Sequence, residues 1–171
     1  GVEKLFPDVW EKRLSFLKEY DAEPATAAAT LLQKLETADE GLAKEIAAGI
    51  ENWESNLFSP LNDLSYKVPE DISAEDIASA KIFLHYESNR FFLDPDQIIA
   101  NLEKIKEIRT LVVHGRYDVL CPLEGVWTLK KGMTSMEILI LPSSGHTLTA
   151  DGEVLRKFAF IAKLKEWANG K

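Results

Sequence analysis

Two short apolar runs, Thr110-Leu-Val-Val-His114 and Glu137-Ile-Leu-Ile-Leu141, constrain this chain more than any other feature. Each is too short for a buried helix. Each is rich in β-branched residues and stopped by a helix breaker, Gly115 in one case and Pro142 in the other, which is the pattern of a strand buried on both faces. A helix is expected after Pro122, between the runs, and another, carrying Val154, Phe158, Ile161 and Leu164, after the loop Ser143-Ser-Gly-His146. The order is therefore β-loop-α-β-loop-α, the repeating unit of a parallel sheet covered by helices. Two strands seldom suffice for a stable sheet, so the remainder of the sheet is expected to lie outside this chain.

The part before Asp94-Pro95 has a different character and no strand pattern. Pro7 opens a helix through Trp10, Leu14 and Leu17, and Pro24 precedes an Ala-rich helix up to Leu35. Thr37 with Glu40 reads as a capping box ahead of Leu42, Ile46, Gly49, Ile50 and Trp53, a helix that ends before Ser59-Pro60. Ser73 is an expected N-cap for a helix through Ile77, Ala80, Leu84 and Glu87. A short helix around residues 97–106 leads into the first strand. The expected division is a helical domain over residues 1–93 and a βαβα portion over residues 94–171.

Composition removes several function classes. With a formal net charge of -8, the chain has no basic surface to neutralise a phosphate backbone or an anionic membrane. No apolar run approaches the roughly 20 residues that span a bilayer. The start, Gly-Val-Glu-Lys-Leu-Phe-Pro, lacks the regions of a signal peptide, and the single cysteine, Cys121, suits a reducing compartment, so a cytoplasmic location is expected.

In open parallel sheets, ligands bind beyond the carboxyl ends of the strands, and Asp118 and His146 both fall in loops just past such ends. Either loop alone reads equally well as turn chemistry, with Asp118 capping a turn after Gly115. Together, in the order acid then base, they match the second and third members of a hydrolase triad, in which the carboxylate orients the imidazole that deprotonates a nucleophile. No G-x-S-x-G elbow and no Gly-rich oxyanion loop accompany them. Cys121, three residues after Asp118, reads as a small thiol lining the site rather than as the nucleophile. His85 and His114 lack metal-site spacing, and no metal or cofactor is expected. Trp10, Trp127, Phe91 and Phe92 read as packing residues.

The segment Val112-Val-His-Gly-Arg-Tyr-Asp-Val-Leu-Cys-Pro-Leu-Glu124 resembles the acid loop of the proline iminopeptidases. The likeness extends to Leu5-Phe-Pro-Asp-Val-Trp10, to Ala47-Ala48 with Trp53-Glu54, to Ala80-Lys-Ile82 with His85-Tyr86, and to Ser144-Gly-His146. It implies the C-terminal part of an α/β-hydrolase fold with a helical cap, the N-terminal half of the parallel sheet being absent. The implied whole is a serine aminopeptidase that releases N-terminal proline from peptides, with the missing N-terminal half of the same enzyme as partner and this chain inactive alone.

On that resemblance Glu54 matches a cap glutamate that binds the substrate amine. A second cap carboxylate is expected in the segment Lys81-Ile-Phe-Leu-His-Tyr86, where Phe83 stands in its place. Glu87, one turn on, is a candidate replacement by exchange of charge and ring along one helix face. Tyr86 is a candidate pocket residue. The alternatives are another capped α/β hydrolase, acting on an ester, amide or epoxide, and a non-catalytic peptide-binding module.

Overall fold

The computed structural model describes residues 1–58, 71–146 and 150–169. They fall into two compact units, one of residues 1–56 and 71–95, the other of residues 57–58, 96–146 and 150–169.

The first unit is helical: α1 (Val2–Leu5), α2 (Pro7–Glu19), α3 (Ala27–Thr37), α4 (Glu40–Phe58, its last two residues in the second unit) and α5 (Ala74–Ser88). Its core follows helical spacing. Ala27, Leu31 and Leu35 on α3, Ala43, Ile46, Ala47 and Ile50 on α4, and Ala80 and Leu84 on α5 are all buried in one cluster. Large residues provide the area, at about 1.5–3 kcal/mol for each fully buried Leu or Ile. The buried alanines let the backbones approach, and Gly49 serves the same end, since a Cβ there would lie 2.0 Å from the Phe16 ring.

The expected α2 forms, and one expected cap, that of α4, needs correction. The buried face of α2 carries Val9 and Leu17, continued by Tyr20 at its C-cap, while Leu14 is exposed and Trp10 only half-buried, its ring 5.8 Å from that of Trp53. The helical period thus sets Arg13 and Phe16, not Leu14, on the inward side. Thr37 is no N-cap: it remains the last residue of α3, its hydroxyl donating to the Gln33 and Lys34 carbonyls. Asp39 caps α4 instead, Oδ1 accepting from the Leu42 N–H at 2.9 Å. Ser73 does cap α5, in a reciprocal box with Asp76.

The second unit contains α6 (Gln97–Ala100), a 3-10 turn at Leu102–Lys104, β1 (Thr110–Gly115), α7 (Leu123–Gly132), β2 (Met136–Leu141) and α8 (Ala150–Ala168). β1 and β2 pair in parallel, Thr110 opposite Met136 and Gly115 opposite Leu141. Alternation along the strands gives the sheet two apolar faces. Val112 and Ile138 pack on Leu102, Leu129, Met133 and Met136, whereas Leu111 and Val113 border an open groove of about 350 Å3 with Phe160 and Lys157 of α8. Glu137 ties α8 down, accepting from Trp167 Nε1 at 2.9 Å and pairing with Lys163, and Arg109 stacks on the Trp167 ring.

Phe158, Ile161 and Leu164 of α8 are exposed. That leaves more apolar surface than a two-stranded sheet covers. The architecture matches part of an α/β hydrolase with a helical cap. No helix among the described residues is long and apolar enough to cross a membrane.

Candidate active site

The parallel register fixes the site. Because Gly115 lies opposite Leu141, the loops that follow both strands leave the same end of the sheet. Two backbone bonds join them: Arg116 N–H donates to the Leu141 carbonyl and Tyr117 N–H to the Ser144 carbonyl, each at 2.9 Å. Gly115 is required for this approach, as a Cβ there would stand 2.2 Å from the Gly145 oxygen and 2.6 Å from the Ser144 oxygen. Both are backbone atoms, so no side chain can yield.

The two loops bring Asp118 and His146 together. His146 Nδ1 lies 3.2 Å from Asp118 Oδ1 and 3.1 Å from Oδ2. The carboxylate is buried, 8% exposed, while the imidazole is 36% exposed. An ionised carboxylate only accepts, so in this contact Nδ1 is the donor and carries an imidazole proton. Asp118 Oδ1 also accepts from the Cys121 N–H at 2.8 Å, which closes the turn around the acid.

The sequence marks His114 only as a strand-end residue. It lies partly buried beside Asp118, with Nε2 3.8 Å from Asp118 Oδ2 and Nδ1 2.9 Å from its neighbour's carbonyl, that of Gly115. Its position four residues before Asp118, at the last inward step of the strand, was the signal available.

Cys121 is exposed, and burial of its thiol, followed by the nearby Asp118 charge, pushes its pKa up. That is the opposite of nucleophile activation. Asp118, Cys121 and His146 each offer one ligand atom within 4.8 Å of the others, a donor set that zinc would accept.

In the first unit, Glu54 and Phe83 border one open cavity of about 190 Å3, together with Glu51, Asp76, Ile50 and Ala80. Three carboxylates thus surround an apolar floor. Glu87 does not line it; its charge and that of Glu54 act on Arg13, whose pKa burial pushes down and these carboxylates pull back. Tyr86 is exposed, its ring edge-on to Phe92 at 5.3 Å, and Phe83 meets Phe91 at 6.4 Å. Arg90, Phe91 and Phe92 hold this aromatic edge with positive φ, a backbone region uncommon for residues with a Cβ.

No family model matches the chain. It is similar to a probable proline iminopeptidase of Leptolyngbya boryana, 32% identical over 155 residues, covering 89% of this chain and 47% of that protein. It is similar also to a proline iminopeptidase of Xanthomonas citri, 32% identical over 148 residues, covering 86% of this chain and 47% of that protein. One from Arabidopsis thaliana is 28% identical over 155 residues, which cover 89% of this chain and 40% of the relative. The chain therefore spans less than half the length of these relatives.

Proposed function

Because this chain belongs to the proline iminopeptidase family, we propose that it supplies the acid, the base and the amine-binding cap of a serine hydrolase that releases N-terminal proline from peptides. The observation that carries the reading is the contact between His146 Nδ1 and the buried carboxylate of Asp118 at the carboxyl ends of two parallel strands. In this reading a serine from outside the chain attacks the prolyl carbonyl. His146 Nε2 takes the serine proton and then delivers it to the leaving amine, so that the C–N bond breaks and an acyl-enzyme remains; water, deprotonated by the same nitrogen, releases proline. Asp118 holds the tautomer and stabilises the imidazolium, while the Cys121 N–H holds Asp118. Nothing in this sequence offers the elbow for the serine, so the 171-residue chain alone is inactive.

The first unit, up to about residue 93, is the cap in this reading, and the rest is the end of the hydrolase core. Glu54 pairs with the charged secondary ammonium of the substrate as it loses water. Its support is the cavity it shares with Glu51, Asp76 and Phe83, where carboxylates suit the ammonium and the ring suits the pyrrolidine. Phe83 leaves the pocket one carboxylate short of the pattern expected from the resemblance; Glu51, which lines the cavity, is better placed to compensate than Glu87, which does not.

The test uses the intact enzyme. Glu54→Gln is expected to lower kcat/KM for proline amides at least tenfold more than for simple aryl esters, because removing one charge-assisted contact to the amine costs on the order of 1.5–3 kcal/mol. Equal losses on both substrates would remove Glu54 from amine recognition.

A further inference from the structure

The loops after β1 and β2 gather more than a carboxylate and an imidazole. Asp118, Cys121 and His146, all in the second unit, each present one donor atom, and the three atoms lie within 4.8 Å of one another. Imidazole nitrogen and thiolate sulfur are ligands that zinc favours, and a carboxylate oxygen is an accepted third. The spacing is close to what such an ion needs. Bonds of about 2.0–2.3 Å at tetrahedral angles set the donors roughly 3.3–3.6 Å apart. One edge is nearly in place, since His146 Nδ1 lies 3.1 Å from Asp118 Oδ2. The remaining adjustment falls to Cys121, an exposed residue whose Sγ swings about the single χ1 bond. Solvent reaches the cluster through that residue and through His146, whose side chain is 36% exposed, so a hydrated ion can enter and water can hold the fourth position. The Cys121 N–H, donating to Asp118 Oδ1 at 2.8 Å, gives the carboxylate the kind of supporting hydrogen bond that metal-ligating carboxylates have.

We propose that Asp118, Cys121 and His146 form a reversible zinc site that locks the loop after β1 to the loop after β2 and silences the enzyme while the ion is bound. Other ions suit the cluster less. Magnesium and calcium prefer roughly six or more oxygen ligands, and here only Asp118 offers oxygen. Zinc deprotonates a coordinating thiol outright, so the site needs no activated cysteine. Binding forms the Zn–S, Zn–N and Zn–O bonds, sends the thiol proton to solvent and moves no electron. The imidazole is then lost as a base whichever nitrogen coordinates: zinc on Nε2 occupies its lone pair, and zinc on Nδ1 leaves the ring proton on Nε2. The three donors carry the metal site by themselves, whereas the loss of activity rests on the role proposed above for His146.

Cobalt(II), which accepts the same tetrahedral ligands and gives a near-ultraviolet band when a thiolate binds it, is the probe, titrated into the intact enzyme and then displaced with zinc. The thiolate band should saturate, disappear as zinc is added, and be absent from Cys121→Ser; Cys121→Ala serves if that variant folds poorly. Zinc should abolish turnover of a proline amide, EDTA should restore it, and magnesium should leave it unchanged. Cys121→Ser should raise the half-inhibiting zinc concentration about tenfold or more. A thiolate band of full size in the Cys121 variants, or half-inhibition at the same zinc concentration with and without the thiol, would overturn the site. A Cys121-dependent band with turnover untouched by zinc would uphold the site and overturn instead the role of His146 as base.

Discussion

Asp118 shows how one residue can satisfy two readings of a sequence. As a turn former it accepts from the Cys121 N–H; as an acid it faces His146 Nδ1 through both oxygens. An amide keeps the first contact and spoils the second. Asp118→Asn in the intact enzyme is therefore expected to leave the melting temperature nearly unchanged while kcat falls about 10^3- to 10^4-fold, which steady-state kinetics beside a thermal melt will check. Gly115 is the other residue on which the site depends. A methyl at this position collides with the backbone of Ser144 and Gly145, the loop that carries His146. Gly115→Ala should cost about 1–3 kcal/mol of stability in denaturant melts and lower activity as well, because relieving the collision moves the imidazole. The meeting of Asp118 and His146 is legible because loop position and chain order are properties of sequence. His114 was not, since its role as neighbour depends on the side-chain direction at a strand end.

At the scale of elements, the strands and most helices were legible because turn residues punctuate them: Pro7, Gly115, Pro122 and Pro142 each mark a boundary close to the observed one. Faces and caps were less so. Leu14 looks like a core residue by composition, but the angular position of α2 is set by packing against the other helices, which turns Arg13 and Phe16 inward. Thr37 and Asp39 compete to cap α4, and the competition is settled by α3 running two residues beyond Leu35, the expected end of its Ala-rich stretch. The Ser73 cap was legible, and it carries a pH dependence. Hydrogen bonds from the Ser73 backbone and hydroxyl hold Asp76 below its ordinary value of 3.8. A lowered acid contributes stability above its unfolded pKa and loses it as pH falls through the folded one. Asp76→Asn should thus melt below wild type at pH 7, with the gap closing as pH drops below 3.8. A gap that stays constant across that range would show that the charge of Asp76 has no part in the cap.

At the scale of the whole molecule, the two-stranded sheet and the exposed apolar side chains of α8 agree with the length comparison. A chain that spans 47% of its relatives carries Asp118 and His146 with part of a core. Its sequence could reveal which part, since the loops after β1 and β2 keep their order, but not the shape of a pocket completed by residues outside it. The dependence of Asp118 and His146 on an external serine is the central claim. Hydrolysis of a chromogenic proline amide, measured for the intact enzyme, for its Asp118→Asn variant and for the purified 171-residue chain, tests it most directly. The intact enzyme should turn over, the variant about 10^3- to 10^4-fold more slowly, and the isolated chain at no rate above the uncatalysed reaction. Turnover by the isolated chain at a rate comparable with the intact enzyme, or an Asp118→Asn variant as fast as wild type, would contradict it.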